Sequence, residues 1–348
     1  MTDRGGAGHP LLELTLARLR EFLREPEAVF WVFAFPILLA FALGIAFRTT
    51  GETPVHVGIV DSAGAAPLAR ALEGAGGLDV RLVAVERVDA ALRDGEVELI
   101  VVPGSPPAYR FDPTRAESRL ARLAVDQALQ RASGREDRWR PREERVTLPG
   151  SRYIDWLIPG LLGLNIMGTS LWSVGYAIVQ SRTRKLLKRL VATPMGRDQY
   201  LLAHMLARLV FLGLEVAPLL LFGWLVFGVP VRGSLVSLTL VAFLGAASFG
   251  GIGLLIASRA RTVEAVSGLM NAVSVPMWVL SGVFFSSANF PAVMQPFIHA
   301  LPLTALNEAM RAVMLDGDSI LMVGRQLGVL TLWGLVSFVV ALRWFRWQ

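Results

Sequence analysis

Ala28-Val29-Phe30-Trp31-Val32-Phe33-Ala34-Phe35-Pro36-Ile37-Leu38-Leu39-Ala40-Phe41-Ala42-Leu43-Gly44-Ile45-Ala46-Phe47 contains no charged residue. As a helix rising 1.5 Å per residue, this run is about 30 Å long, the thickness of a bilayer's hydrocarbon core. Pro36 lacks an N–H and is expected to kink it. A cleaved secretory signal would have an apolar region of only ~7–15 residues followed by a small-residue cleavage site. This run is longer and ends in Phe47-Arg48-Thr49-Thr50, which predicts an uncleaved anchor.

Upstream, residues 1–27 predict an amphipathic helix. Leu12, Leu16, Leu19 and Leu23 recur at helical spacing with Leu11, Thr15 and Phe22 alongside. Glu13, Arg20, Glu21 and Arg24 lie mostly on the other side. That pattern suits a cytoplasmic helix in the membrane interface, or else a solvated helix packed on another protein. Downstream, residues 48–152 change character. Val55–Asp61, Val80–Val85 and Val97–Val102 read as strands. Pro67–Ala75, Val88–Arg93 and Thr114–Ala132 read as helices, the last with Leu120, Leu123, Ala124 and Leu129 on one face. Alternating strands and helices predict βαβ units and a small sheet. Asp61-Ser62-Ala63-Gly64 after the first strand lacks the dinucleotide fingerprint. The charged stretch 135–145 reads as a linker.

Residues 153–348 resume the apolar pattern. Further spans are expected at Ile154–Val179, Leu201–Val229, Leu235–Ile256, Val263–Phe285 and Ile320–Leu342. The predicted fold is therefore an α-helical polytopic membrane protein with six transmembrane helices. A small extracytoplasmic α/β domain is inserted between the first two.

Composition agrees. The 348 residues are 53% hydrophobic and 18% charged, whereas soluble domains average about 25% charged. Arg48–Arg152 alone holds 16 Arg and 16 acidic residues, leaving the remainder poor in charge. The net charge of +6 invites a nucleic-acid reading, but the excess clusters beside apolar spans, where it sets membrane orientation instead. With no cysteine, disulfides and thiol chemistry are excluded. The four histidines, His9, His56, His204 and His299, are too scattered to mark a metal site.

Orientation follows from the short loops. Arg4, Arg18, Arg20, Arg24, Arg182, Arg184, Lys185, Lys188, Arg189, Arg197, Arg259, Arg261, Arg343 and Arg346 fall on one side. Only Arg232, Arg311 and Arg325 fall on the other. Fourteen against three puts both termini in the cytoplasm and the α/β insert outside a plasma (inner) membrane. Tyr153, Trp156, Trp344 and Trp347 stand near span ends, as interfacial aromatics do.

Three segments carry a resemblance. Arg20-Glu21-Phe22-Leu23-Arg24-Glu25-Pro26 leads into the first span. Arg182-Thr183-Arg184-Lys185-Leu186-Leu187-Lys188-Arg189-Leu190-Val191-Ala192-Thr193-Pro194-Met195 is a basic loop ending in Thr-Pro. Ser281-Gly282-Val283-Phe284-Phe285 is followed by Asn289-Phe290-Pro291, then Leu301-Pro302-Leu303-Thr304 with Glu308 and Arg311. In this order the chain resembles the ABC-2 type permeases, the transmembrane subunits of ABC exporters, and among them the subgroup with a large insert after the first span. Many of those relatives carry Glu in the loop after span two. Here no acidic residue lies between Asp155 and Asp198, so the electrostatics of docking are expected to differ.

The resemblance implies a permease exporting a drug, a lipid or another amphiphile. It also implies a second permease subunit, identical or different, and an ATPase that uses ATP and Mg. This chain binds no cofactor or metal on that reading. It has two lysines, Lys185 and Lys188, and neither follows a glycine, so no P-loop is present. ATP hydrolysis is expected from a separate chain, and no catalytic residue is assigned here.

The loop 181–199 is the expected coupling element. Leu186, Leu187, Leu190 and Val191 form an apolar stripe surrounded by Arg182, Arg184, Lys185, Lys188 and Arg189, with Thr193 and Pro194 closing the segment. Such a helix inserts into a partner's cleft, or else anchors on anionic lipid. Within the spans, Glu215 is the costly residue, with Arg208 and His204 toward the cytoplasm on its face. It lines a translocation path, or it hydrogen-bonds structurally to Asn165 or Asn271. Residues 286–318, with Pro291, Pro296, Pro302, Asn307, Glu308 and Arg311, predict an outer segment, either re-entrant or interfacial. There Glu308 and Arg311, three apart, are placed to pair.

Two other functions compete. An intramembrane enzyme has no H-E-x-x-H and no pair of intramembrane Asp to support it. A secondary transporter is expected to show inverted repeats, and no duplication is visible.

Overall fold

The computed structural model describes residues 24, 26–47, 54–136, 139, 142, 144, 150–183, 197–260 and 262–344. The chain divides into a helical unit, Met1–Arg48 with Thr147–Gln348, and an α/β unit, Thr49–Val146.

The helical unit begins with α1 (26–46), which is not uniform. Pro26–Val29 is followed by a π turn, Phe30–Ala34, and then Phe35–Ala46. The Phe35 N–H bonds the Phe30 carbonyl, five residues back. Pro36 sits just beyond and has no N–H for the Val32 carbonyl four residues earlier. The expected kink is thus a widened turn next to a freed acceptor.

The remaining helices are α5 (Tyr153–Thr183), α6 (Arg197–Phe227), α7 (Leu235–Arg259), α8 (Val263–Leu280), α9 (Gln295–Ala300), α10 (Pro302–Arg311) and α11 (Gly324–Trp344). Side chains of α6 are described from residue 211. Among the described residues, four helices are long and apolar enough to cross a membrane: Tyr153–Gln180, Leu235–Arg259, Val263–Leu280 and Gly324–Trp344. Phe30–Ala46 and Phe211–Phe227 are shorter apolar helices.

The fifth expected span ends earlier than its hydropathy. α8 stops at Leu280 because Gly282 turns left-handed, at φ +69°. Its inner neighbour α7 is the hub of the unit, packed against α5, α11 and α10. Glycine permits this. A Cβ on Gly253 would stand 2.5 Å from the Leu171 carbonyl oxygen of α5, and one on Gly251 3.0 Å from the Gly334 oxygen of α11.

Within the α/β unit, β1 (Val55–Val60), α2 (Ala65–Glu73), β2 (Leu78–Val83), α3 (Val88–Arg93), β3 (Leu99–Val102), β4 (Ala108–Arg110) and α4 (Ala116–Ala132) follow in order. The sheet runs β2-β1-β3-β4, parallel except for β4 against β3. β4 escaped sequence reading because three residues carry too little pattern. One face of the sheet takes α2 and α4, packing Val57, Ile59, Leu99 and Val101 against Leu72, Ala121 and Val125. Across the sheet, α3 packs Val88 and Ala91 on Val60 and Ile100. The sequence reading of α4 is corrected here. Its buried residues are Ser118, Ala121, Val125 and Ala128, and Leu120 and Leu123 are exposed. Leu129, half-buried, packs against the same core, so the face read from the sequence holds only at the far end of the helix.

Candidate translocation and coupling elements

Asn165 and Thr169 stand one turn apart on the same face of α5. Asn165 Nδ2 donates to the Val32 carbonyl at 3.1 Å, the acceptor that Pro36, four residues on, has no N–H to meet. Thr169 Oγ1 lies 2.8 Å from the Asn165 carbonyl and donates to Glu215 Oε2 at 2.9 Å. These contacts tie α1, α5 and α6 together through polar side chains inside an apolar core. Glu215 is only 4% exposed, so it faces protein. Asn165 serves the backbone of α1, and Thr169 meets the carboxylate. Asn271 is exposed on α8. The side chains of Arg208 and His204 lie outside the described residues.

A second polar centre surrounds α10, whose first residue is the buried Pro302. Arg311, 7% exposed, sends Nε and Nη2 to the Trp156 carbonyl, each at 3.3 Å, and Nη2 also to the Gly282 carbonyl. Its guanidinium carbon lies 3.5 Å from the centroid of the Trp156 ring. Asn307 Nδ2 donates to the Ser281 carbonyl at 3.0 Å. The backbone turn that ends α8 is therefore held by two side chains of α10. α5 allows the approach through Gly160 and Gly163: a Cβ on Gly163 would lie 2.0 Å from Asn307 Oδ1, and one on Gly160 2.6 Å from the Val283 oxygen.

The expected Glu308–Arg311 pair does not form. Glu308 turns the other way, to His299 Nδ1 at 2.9 Å, Gln326 Nε2 at 3.2 Å and Arg325 Nη2 at 3.6 Å. Three-residue spacing brings two side chains near each other on an isolated helix. Here Arg311 reaches the open carbonyls at the end of α8, and Glu308 reaches the start of α11.

At the head of α5, buried Asp155 accepts from the Gly150 and Arg152 backbone N–H groups at 3.0 and 3.3 Å. Arg152 grips it with Nη2 at 2.7 Å and Nε at 3.1 Å. This carboxylate hydrogen bond raises the Arg152 pKa. The acid satisfies N–H groups that a helix start leaves open.

At the other end of α5, Arg182 donates from Nη1 to the Ala257 and Ala260 carbonyls, at 3.3 and 2.9 Å. Those groups close the end of α7, so the first expected coupling residue also fastens two helices. The other coupling residues, Arg184, Lys185, Leu186, Leu187, Leu190, Thr193 and Pro194, lie outside the described residues, as do residues 1–23 and 25 of the amphipathic helix read over 1–27.

Thr169, Trp156, Asn307, Gly160 and Gly163 were not assigned these contacts from the sequence. Asn165/Thr169 at four-residue spacing and Gly160/Gly163 at three were the available signals, but neither names a partner helix.

A bundle of membrane-length helices, with polar side chains inward and a broken segment packed across it, defines a multi-pass membrane protein. Residues 122–315, more than half of the chain, match the family model described as ABC-2 type transporter, and the chain belongs to that family. It is similar to ABC transporter G family member 20 of Dictyostelium discoideum, 28% identical over 200 residues. That alignment covers 56% of this chain and 26% of the relative. It also resembles the probable multidrug ABC transporter permease YbhS of Escherichia coli K12, 28% identical over 167 residues, 47% of this chain and 44% of the relative. The inner membrane transport permease YadH of the same strain is 25% identical over 202 residues, 57% of this chain and 75% of the relative. The match thus spans about a quarter of the first relative's length and under half of the second's.

Proposed function

We propose that this subunit is the permease half of an exporter that moves a drug, a lipid or another amphiphile out of the cytoplasm, driven by a separate ATPase that binds ATP and Mg2+. The supporting observation is the charge distribution. Fourteen basic residues flank alternate ends of the apolar segments and three flank the others. That asymmetry favours six spans in the plasma (inner) membrane, both termini cytoplasmic and the α/β unit outside. The name of YbhS, a probable multidrug permease, supports the amphiphile class.

On this reading the basic segment after α5 docks the ATPase, with Leu186, Leu187 and Leu190 in its cleft and Arg184 and Lys185 setting register. Asn271, exposed on α8 among apolar neighbours, favours a second permease subunit or a wet path on that face, because an amide among acyl chains is costly. Glu215, Asn165 and Thr169 hold the inner helices in register beside that path. Pro302, Glu308 and Arg311 hold the broken outer segment as its gate.

Affinity capture in mild detergent tests the pairing. An ATPase carrying a P-loop is expected to co-purify and to hydrolyse ATP. Leu187→Asp and Leu190→Asp are expected to uncouple transport while the helices stay folded, because the new charge would be buried unpaired. Normal complex recovery and normal transport in both variants would remove the segment from the mechanism. For orientation, an impermeant thiol reagent on intact cells is expected to label Ser105→Cys and spare Ser181→Cys; the reverse labelling overturns the topology.

A further inference from the structure

The sheet of the α/β unit ends in two unlike edges. β4 is three residues long, and a short edge strand offers little to pair with. β2 is six residues long and pairs only with β1 among the described residues. The Val55 N–H donates to the Gly77 carbonyl at 3.0 Å, and the Asp61 N–H to the Val83 carbonyl at 2.9 Å. Odd-numbered positions along β2 therefore face β1. Leu78, Val80 and Leu82 turn their N–H and C=O groups to the open edge.

Side chains alternate across the strand. Leu78 and Val80 pack on the core under α2 and α4. Leu82 follows on that face but is 59% exposed. Asp79 and Arg81 stand on the other face. Asp79 Oδ2 lies 2.8 Å from His56 Nδ1 and accepts from Arg81 Nη2 at 2.7 Å and Nε at 3.1 Å. All three contacts fall on one oxygen, and Asp79 Oδ1 has no partner among the described residues.

We propose that β2 pairs antiparallel with β2 of a second copy of this chain, about a two-fold axis at Val80, so that the two sheets join edge to edge. The occupant is a second copy because the strand complements itself in this register. Asp79 faces the partner's Arg81, and Arg81 faces the partner's Asp79. Leu82 faces the partner's Leu78, which covers it. Val80 and its counterpart form a hydrogen-bonded pair, which uses the open backbone groups. Asp79 and the partner's Arg81 then form the closer, non-hydrogen-bonded kind of pair, about 4.5 Å apart at Cα. Moving the axis to Asp79 or to Arg81 keeps the open groups facing but sets like charges directly opposite, which destabilises a sheet. The pairing rests on the reading of a second permease subunit and makes that subunit identical.

The chain has no cysteine, so single cysteines report the pairing in the full-length protein in membranes. Under mild oxidation Val80→Cys is expected to convert most of the protein to a disulfide dimer, since paired Cα atoms stand about 5.5 Å apart. Leu78→Cys, four residues and about 14 Å from its counterpart, is expected to give no more than about a tenth as much. Arg81→Asp added to Val80→Cys is expected to cut the dimer about fivefold, and adding Asp79→Arg as well to restore it, because the facing charges are opposite again. Equal cross-linking at positions 78 and 80 overturns the proposal, and so does a dimer that ignores Arg81→Asp. Capture of one tagged copy by another, in mild detergent, reports the second subunit by a separate route. Co-capture without cross-linking at position 80 overturns the β2 pairing and leaves the second subunit standing. Where copies neither co-capture nor cross-link, the second subunit is not this chain, and the pairing falls with it.

Discussion

α11 and α4 both leave leucines uncovered, for opposite reasons. On α11, Leu332, Leu335, Val336, Phe338 and Leu342 are exposed, while Ser337 is buried and packs near Gly251 of α7. The helical unit keeps Glu215, Asn307, Arg311 and Asp155 inside. On α4, exposed Leu120 and Leu123 sit on a unit whose exposed residues mix charged side chains with small and polar ones, and which also exposes Leu82 and Val85. The first pattern is the normal state of a surface whose solvent is hydrocarbon, where polar groups must find partners inside. The second is an exception on a surface whose solvent is water. Exposure has no meaning until the solvent on that face is known.

The largest expected break of this contrast is at Arg311. Arg311→Ala would leave the Trp156 and Gly282 carbonyls without their donor and open space beneath Trp156. A loss on the order of 4 kcal/mol is expected, read as a large drop in detergent melting temperature. Arg311→Lys keeps the charge but loses the forked geometry, and is expected to recover only part of that loss. Near-normal melting of Arg311→Ala would show that the end of α8 does not depend on this side chain.

A charge on each exposed face sharpens the comparison directly. Leu335→Arg, in the middle of α11, is expected to cost about 3 kcal/mol in the membrane. Leu120→Arg on α4 is expected to change folding stability by at most about 0.5 kcal/mol. Equal effects at both positions would mean that the two faces meet the same solvent.

Glu215 carries a smaller effect. Glu215→Gln keeps an acceptor for Thr169 and is expected to melt like the parent. Glu215→Leu removes it and is expected to lose about 1 kcal/mol. If Gln preserves folding but stops export of a cationic amphiphile, the carboxylate serves transport as well as structure.

The smallest effect concerns the α/β unit and acid. Asp79 is held below the usual carboxylate range, first by its hydrogen bond with His56 at 2.8 Å and then by Arg81. A carboxylate with a depressed folded-state pKa adds stability that is present above its unfolded value, near 3.8. That stability is lost as pH falls through the lower folded value. Asp79→Asn is therefore expected to flatten the acid limb of unfolding slightly and to leave neutral pH behaviour nearly unchanged, by circular dichroism.

The sequence alone determined the pattern of each region. Apolar runs of membrane length, a charge-dense block between the first two of them, and alternating strand and helix patterns inside that block are local properties, because hydrophobic periodicity depends only on residue order. They placed the helical unit, most of the sheet and the broken segment 286–318. The tertiary structure alone decided the partners. Asn165 meets Val32, 133 residues away, because Pro36 frees a carbonyl that happens to face α5. Arg311 leaves its sequence neighbour Glu308 for carbonyls of Trp156 and Gly282, since a buried guanidinium goes to the open acceptors that packing brings nearest. The inward face of α4 was set by packing against the sheet and α2, which buries Ala121, Val125 and Ala128 with Leu129 alongside and leaves Leu120 and Leu123 outside.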